Sequence, residues 1–583
     1  MPTATAMGPA SGTRTIRAEA GPRLGSDARR RAVGRIGGGL GRHDDGAMAA
    51  LAARLGAGAQ TLRDRRDGEL HLVADWDACA VKGERIDSLD DWRRVLIAGT
   101  LPDVDGAFAL AWIDPGGTLS LARDAIGERT LFYARVAGGV LFASTLAALL
   151  GTRLVDRVID VRSLAAYLTY AYVPGRGTVI AGVDEVLPGE VVRFRAGEVT
   201  RHHFWRLPEE LDASPEEDAT SIARLRTRLE DAVQQRLPPG EPVGATLSGG
   251  IDSSLVVALA RRLHRPPVVT YSVSFGRDYP NELEWSSLVA AHCTTDHRIV
   301  EIGPATALHH LDDAIRLLNE PIGDPLTVPN ALLFREAARE VTVVLNGEGG
   351  DPCFGGPKNL PMLLAELYGD GRNAGDDDRY ARERSYLRAH QKCFDDLDAM
   401  LSTDVRQALG PDALEAPLTA HLEDARFRTF VTRLMALNVT FKGGHHILPK
   451  VDALSGALGV LARSPLFDRA IVETAFSMPP DVKLRGSVEK YALKQAVRDL
   501  LPRAILERPK SGMLVPVESW FQGPLLSHAR ERLLDGLAPY RLFEATWLER
   551  LLAGRLGGVR PRRGAKIWLL VTLESWLRGV VGR

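Results

Sequence analysis

Two patterns of hydrophobic and polar residues divide this chain. From about residue 34 to residue 205, apolar and polar positions alternate in short runs such as "GELHLVADWD", "DGAFALAWIDPGGTLSLARD", "RTLFYARVAGGVLFAS" and "GEVVRFRAGEVTRHHFW". Glycine or Asp-Pro-Gly interrupts the alternation roughly every eight to twelve positions, the rhythm of short strands joined by tight turns. An antiparallel, β-rich first half is expected, with its clearest helices at Met48–Leu55 and Ser163–Leu168. The polar, proline-containing stretch 206–218, "RLPEELDASPEED", reads as a linker. Beyond it the period changes. Thr220–Gln235 is patterned as an amphipathic helix, Val243–Leu247 as a short buried strand, Ser254–Leu263 as a helix, and Val268–Phe275 and Val341–Leu345 as further strands. Strands alternating with helices predict a parallel α/β sheet. From Pro361 the pattern is mostly helical and ends in "AKIWLLVTLESWLRG", whose Trp568, Leu569, Thr572, Leu573 and Trp576 fall on one helix face.

Composition narrows the partners. A chain of 583 residues exceeds one ordinary core, so two domains are expected. With 45% hydrophobic and 25% charged residues and a net charge of −1, there is no basic excess to attract nucleic acid. No apolar run is long enough to span a bilayer, and the N-terminus lacks an apolar signal core, so no membrane association is expected. Cys79, Cys293, Cys353 and Cys393 form no CxxC pair, which fits a reducing, cytoplasmic setting and gives no readable zinc site. The arginine-rich opening, residues 1–33, is expected to be disordered or to precede the true start.

The chemistry is concentrated in "LSGGIDSSL", Leu247–Leu255. A buried strand, a turn of small residues and a helix start would aim backbone N–H groups and the positive end of a helix dipole at one point, where an anion belongs. The spacing is not that of a Walker A loop, because no Gly-Lys-Ser/Thr follows. Asp252 stands in the loop instead, and an acid beside a phosphate cradle makes sense with a bridging magnesium ion. A plain turn with Asp252 or Ser253 capping the helix would use the same residues. A second strand and glycine loop, "VLNGEGGDPCFGG", Val344–Gly356, carries Asp351. A parallel sheet delivers both loops to the same carboxyl edge, so the two aspartates are expected to share magnesium over one polyphosphate. Lys490 at a helix start and Lys510 in a turn are the cations available to a pyrophosphate leaving group, although solvated lysines are the commoner fate.

"SGGIDSS" resembles the pyrophosphate loop of the N-type ATP pyrophosphatases. "NEPIGDPLTVPNALL", "LNGEGGDPCFGG", "PKVDALS", "ARSPLFD", "EKYALKQA", "RPKSGMLVP" and "IWLLVTLESWLR" follow in the order of class B asparagine synthetases. "DGAFALAWID", "ARDAIGERTLFY" and "LFAS" resemble that family's glutaminase domain. The resemblance implies an N-terminal Ntn-hydrolase-like sandwich at 34–205 and a PP-loop α/β domain with a helical C-terminal part at 219–583. It further implies a ligase that adenylates a carboxylate with ATP, releases pyrophosphate and passes the acyl group to an amine or ammonia. By the same resemblance Leu247, Ser248, Gly249, Gly250, Ser253 and Ser254 would cradle phosphates, and Asp252 and Asp351 would hold Mg2+. Val273, Ser274 and Phe275 would line the adenine, with Asn346 and Gly347 against the nucleotide. Lys510 would stabilise the pyrophosphate, and Glu348 would act as general base.

Departures from the family set the expected chemistry apart. The family's glutaminase opens with a nucleophilic cysteine; "GRIGGGLGR" aligns with that opening and puts Gly34 in its place. The strand that holds glutamine is unreadable near "ADWDACAVKGE", and Asp105, which matches a glutamine-binding aspartate, is expected to be structural. The nitrogen is therefore expected from free ammonia, a separate glutaminase partner or an amine substrate. A degenerate first domain and "NELEW", residues 281–285, resemble the β-lactam synthetase branch, and ring closure on a small molecule or peptide is the alternative product; Glu348 instead resembles asparagine synthetase. Glutamine-dependent asparagine synthesis and a non-catalytic nucleotide binder are the remaining alternatives. Pro352, Pro357 and Leu461 replace two acids and an aromatic residue, suggesting a pocket altered from one for aspartate. His445 and His446 in "KGGHHILPK" are expected to be structural or to touch substrate, since adjacent histidines face opposite ways. A homodimer is compatible with this reading.

Overall fold

The computed structural model describes residues 13–18, 24, 35–41, 43–56, 58–64, 67–210, 218–355, 379–486, 488–508, 513–556 and 562–582. In the first half, two sheets pack face to face. One runs in the order Val183–Glu185, Phe132–Val136, Gly139–Ala143, Ile36–Gly41, Gln60–Arg63. The other runs Glu198–His203, Glu190–Arg195, Leu119–Arg123, Val104–Ile113, His71–Val81, Glu84–Arg85. Ile36, Val73, Ala109, Leu121, Phe142 and Val192 meet between them. Helices Asp45–Leu55 and Leu146–Gly151 cover one outer face, and Trp92 of helix Leu89–Ala98 covers the other. This helix–sheet–sheet–helix stack is the Ntn-hydrolase-like sandwich. One pair departs from the antiparallel expectation: Ile36–Gly41 and Gln60–Arg63 run parallel, because helix Asp45–Leu55 forms the crossover between them. The glycines of the first strand are steric necessities. A Cβ on Gly37 would lie 2.6 Å from Leu51, and one on Gly38 would lie 2.1 Å from the Leu62 carbonyl oxygen.

The second half is built on a wholly parallel sheet in the order Arg14–Arg17, Asp296–Glu301, Val268–Ser274, Val243–Thr246, Val343–Leu345, Leu461–Arg463. Its first strand corrects an expectation: Arg14–Arg17 lies in the segment predicted to be disordered, yet it pairs with Arg298–Glu301. Three of its four side chains are exposed, so backbone pairing holds it and no hydrophobic alternation announces it. The Ala18 amide extends the ladder to the Glu301 carbonyl at 2.9 Å. Val243–Thr246 has a neighbour from later in the chain on either side, Val268–Ser274 and Val343–Leu345. Strand order therefore reverses there and opens a crevice beyond the carboxyl ends.

Helix Ile251–Leu263 starts three residues before the expected Ser254, because Gly250 is its N-cap and the first turn is made of loop residues. The last helix, Arg563–Trp576, carries the five predicted residues, but it is buried all round from Lys566 to Trp576. Helices Val517–Gln522, Pro304–Arg316 and Ala545–Leu552 pack around it, so the one-faced reading was too narrow. Among the described residues, no helix is long and apolar enough to cross a membrane.

Charged groups join the two halves. Arg129 reaches Asp75 at 3.2 Å and Asp452 at 2.5 Å, and Arg463 binds Asp77 through two nitrogens at 2.8 and 2.7 Å. The Arg123 guanidinium donates to the Gly444 carbonyl at 2.7 Å.

Candidate active site

Two glycine loops meet at the crevice. In the first, the Leu247 amide donates to the Tyr271 carbonyl at 2.8 Å, keeping the chain extended to the edge of the sheet. Gly249 then turns at φ +76°, and a Cβ there would lie 2.5 Å from Trp285 Cβ. The Ser253 hydroxyl accepts from the Ser248 amide at 3.1 Å and donates to the Gly250 carbonyl at 3.2 Å, so it braces the loop. No side chain caps the helix at Gly250. The capping alternative therefore does not apply: Ser253 binds the loop and Asp252 binds Lys490. In the second loop, the Asn346 side-chain oxygen accepts from the Glu348 amide at 3.0 Å. The loops touch through glycine: a Cβ on Gly347 would lie 2.4 Å from the Ser253 nitrogen, and one on Gly350 would lie 2.2 Å from an Asp252 carboxylate oxygen.

Asp252 and Asp351 converge on one cation. Lys490 Nζ lies 2.5 Å from Asp252 Oδ2 and also contacts Asp351, with its side chain 2% exposed. Burial alone would lower its pKa; the two carboxylates outweigh burial and raise it, so the charge is fixed. Glu348 faces the same cavity. Burial raises its carboxyl above the ordinary glutamate range, against the nearby charges of Lys450 and Lys442. Lys450 Nζ in turn lies 2.5 Å from Asp324 Oδ2, and His446 Nε2 lies 3.2 Å from the same oxygen. The His446 ring stacks on Tyr172, with centroids 5.0 Å apart and planes 7° apart; burial pushes its pKa down to about 4, leaving it neutral near pH 7. His445 points the other way, its Nδ1 2.7 Å from Glu185 Oε2 in the sandwich. The expected opposite facing of the two histidines is what the structure has.

The cavity is about 260 Å3 and open to solvent on one side. Of the residues singled out in the sequence, Leu247, Ser248, Asp252, Ser253, Val273, Asn346, Gly347, Glu348 and Asp351 line it. Other expected residues sit behind that wall. Ser254 is fully buried, the Ser274 hydroxyl accepts from the Gly276 amide at 3.2 Å, and Phe275 packs edge-on to Trp520. Lys442, Tyr271, Glu282 and Asn330 also line the cavity. Glu282 stands in the "NELEW" stretch and Lys442 beside the paired histidines, which were the available signals. Lys510, Gly34 and Pro357 lie outside the described residues.

The donor chemistry fits a hard divalent ion. Among the described residues no group of three or more His, Cys, Asp or Glu side chains is arranged to hold a metal. An ion at Asp252 and Asp351 would therefore take its other oxygens from water and phosphate, the habit of Mg2+.

Asp105 belongs to another neighbourhood. Burial, and then the charge of Asp468, push its carboxyl up to about 6, while Arg236 opposes them. Cys79, the one cysteine of the sandwich half, is 3% exposed within a strand, and its thiol donates to the Ala107 carbonyl at 3.2 Å. Burial raises that thiol well above its ordinary pKa.

Comparison with known proteins agrees with the geometry. The asparagine synthase family model matches residues 224–578, and a glutamine amidotransferase domain model matches residues 97–205. The chain belongs to the asparagine synthase family. A putative glutamine-hydrolysing asparagine synthetase of Mycobacterium tuberculosis is 30% identical over 81% of this chain and 76% of its own length. Glutamine-hydrolysing asparagine synthetase 1 of Bacillus subtilis is 26% identical over 81% and 77%. The carboxyethyl-arginine β-lactam-synthase of Streptomyces clavuligerus is 26% identical over 76% and 70%. The chain is thus an ATP-using carbon–nitrogen ligase.

Proposed function

We propose that this ligase activates a carboxylate as its acyl-adenylate and transfers the acyl group to an amine or ammonia that its own first domain does not generate. A carboxylate oxygen of the acid attacks the α-phosphorus of ATP, the bond to the β-phosphate bridging oxygen breaks, and pyrophosphate leaves. The amine nitrogen then attacks the acyl carbon, AMP departs with the bridging oxygen, and the nitrogen's proton passes to the Glu348 carboxylate. The observation that carries this reading is the meeting of the two glycine loops, with Asp252 and Asp351 on Lys490 and Glu348 facing the same cavity. The Ser248–Ser254 loop would receive the phosphates, with Ser248 and Ser253 nearest them. Val273, Asn346 and Gly347 would meet the nucleotide, Lys510 would add charge at the leaving group, and Lys490 would hold both aspartates in register. Mg2+ held by Asp252 and Asp351 would neutralise charge on the departing pyrophosphate.

Two observations support an outside nitrogen source. Gly34 stands where the resemblance puts the family's nucleophilic cysteine. Cys79 is buried in mid-strand with its thiol hydrogen-bonded, so it offers no thiolate. The test supplies ATP and candidate acids with either [15N]ammonium or [amide-15N]glutamine. Label in the product from ammonium, with none from glutamine and no glutamate released, is expected; glutamine hydrolysis would overturn the reading. A second reading, ring closure on the substrate's own amine, is favoured by Trp285 of "NELEW" packing against Gly249 and by Glu282 lining the cavity. Product formation that needs neither ammonium nor a second amine would establish it.

A further inference from the structure

We propose that the space between the sandwich, the strand end at Trp205 and the helical segment Phe430–Ile447 is a second ligand site, taking an apolar molecule that carries one anionic group. The inference does not depend on the adenylation reading. The space is a cleft open to solvent on one side and measures about 470 Å3, within the range of small-molecule sites. Ile126, Pro188, Trp205, Phe427, Val439 and Phe441 give it apolar walls. Such walls offer water few partners.

The charged lining groups are mostly of one sign. Arg176, Arg206 and Arg426 line the space, against Asp424 as the one acidic lining residue. Arg176 is held bidentately by Glu190 at 2.9 and 2.6 Å, and Arg426 by Asp424 at 2.7 Å. Arg206 is exposed at the rim and has no ion pair among the described residues. Burial, with Arg206 adding like-charge repulsion, lowers the pKa of neighbouring His203, which also lines the space, while Glu190 opposes them. An anion at the rim would pair with the Arg206 guanidinium, and an apolar body would fill the walls behind it.

This site and the adenylation cavity share no lining residue. They flank one helical segment, Asn438–Ile447: Lys442 and Ile447 line the adenylation cavity, while Val439, Thr440, Phe441 and His445 line the second space. A molecule in the second site would therefore press on the turn that carries Lys442.

The probes are the anionic dye 8-anilinonaphthalene-1-sulfonate and the neutral dye N-phenyl-1-naphthylamine, with energy transfer from Trp205 as the signal and the full chain as the protein. Saturable, one-to-one binding of both is expected, and Trp205→Phe should remove most of the transfer without removing binding. Ala436→Trp, which fills the space, should abolish binding of both dyes. Arg206→Glu, a surface change that leaves folding alone, should weaken the sulfonate about fivefold or more and leave the neutral dye unchanged. Sulfonate binding unaltered by Arg206→Glu, or equal weakening of both dyes, would overturn the proposal. Should Ala436→Trp fail to fold, the Arg206→Glu contrast between the two dyes decides alone.

Discussion

Replacing Lys490 with methionine keeps the length of the side chain and removes the charge on which Asp252 and Asp351 converge. The Lys490 side chain is 2% exposed and that of Asp252 13%, so this pair is screened little; Asp351 is 32% exposed and is discounted to a surface value of about 0–1 kcal/mol. Breaking one partner out of a buried pair costs about 3–5 kcal/mol, because the remaining charge loses its compensation. A loss of about 3–4 kcal/mol is expected for Lys490→Met in urea unfolding without ATP or divalent cation. The physical cause gives a sharper test in the double variant. Asp252→Asn removes the stranded charge, so Lys490→Met/Asp252→Asn should recover more than half of the loss. Both proteins should be inactive. A loss under about 1 kcal/mol for Lys490→Met, or no recovery in the double variant, would refute the claim that a buried charge pair fastens the two loops together.

Glu348→Gln keeps the shape and removes the base; amide formation should fall about 10²–10⁴-fold while ATP–pyrophosphate exchange persists, and the acid limb of the wild-type rate profile should fall above the ordinary glutamate value of 4.5. Gly347→Ala places a Cβ 2.4 Å from backbone nitrogen, which cannot move aside as a side chain does, so the loops must separate at a cost of about 1–3 kcal/mol. Exchange activity should fall more than about tenfold with circular dichroism unchanged. His446 has its pKa lowered by burial from 6.5 to about 4, so the unfolded chain binds more protons between those values and stability falls as pH drops through that window. The contribution reaches about 2–3 kcal/mol at the acid end, and His446→Gln should remove it when urea midpoints at pH 7 and pH 4.5 are compared.

The parts of the fold written in local pattern were readable from sequence. A buried strand followed by Ser248–Gly250 and a helix announces the first loop, and parallel strands bring Asp351 to the same edge. What escaped depends on contacts remote in sequence. Arg14–Arg17 is held through its backbone, so its side chains carry no periodic signal. Helix Leu89–Ala98 buries only Trp92 and Val95, too few apolar positions to mark a period. Lys442, Lys450 and Asp324 act on Glu348 from segments remote from it in sequence. Nothing in the motif "KGGHHILPK" says which histidine turns to Asp324 and which to Glu185. Asp105 resembled part of a glutamine site, and its surroundings of Asp468 and Arg236 come from the other half of the molecule.

The central claim is adenylation of an acid at the meeting of the two loops, and the fate of one oxygen tests it most directly. An acid substrate labelled with 18O in its carboxylate, turned over once with ATP, should yield AMP carrying one 18O in its phosphate and unlabelled pyrophosphate. Label in inorganic phosphate, with ADP as the nucleotide product, would contradict the account.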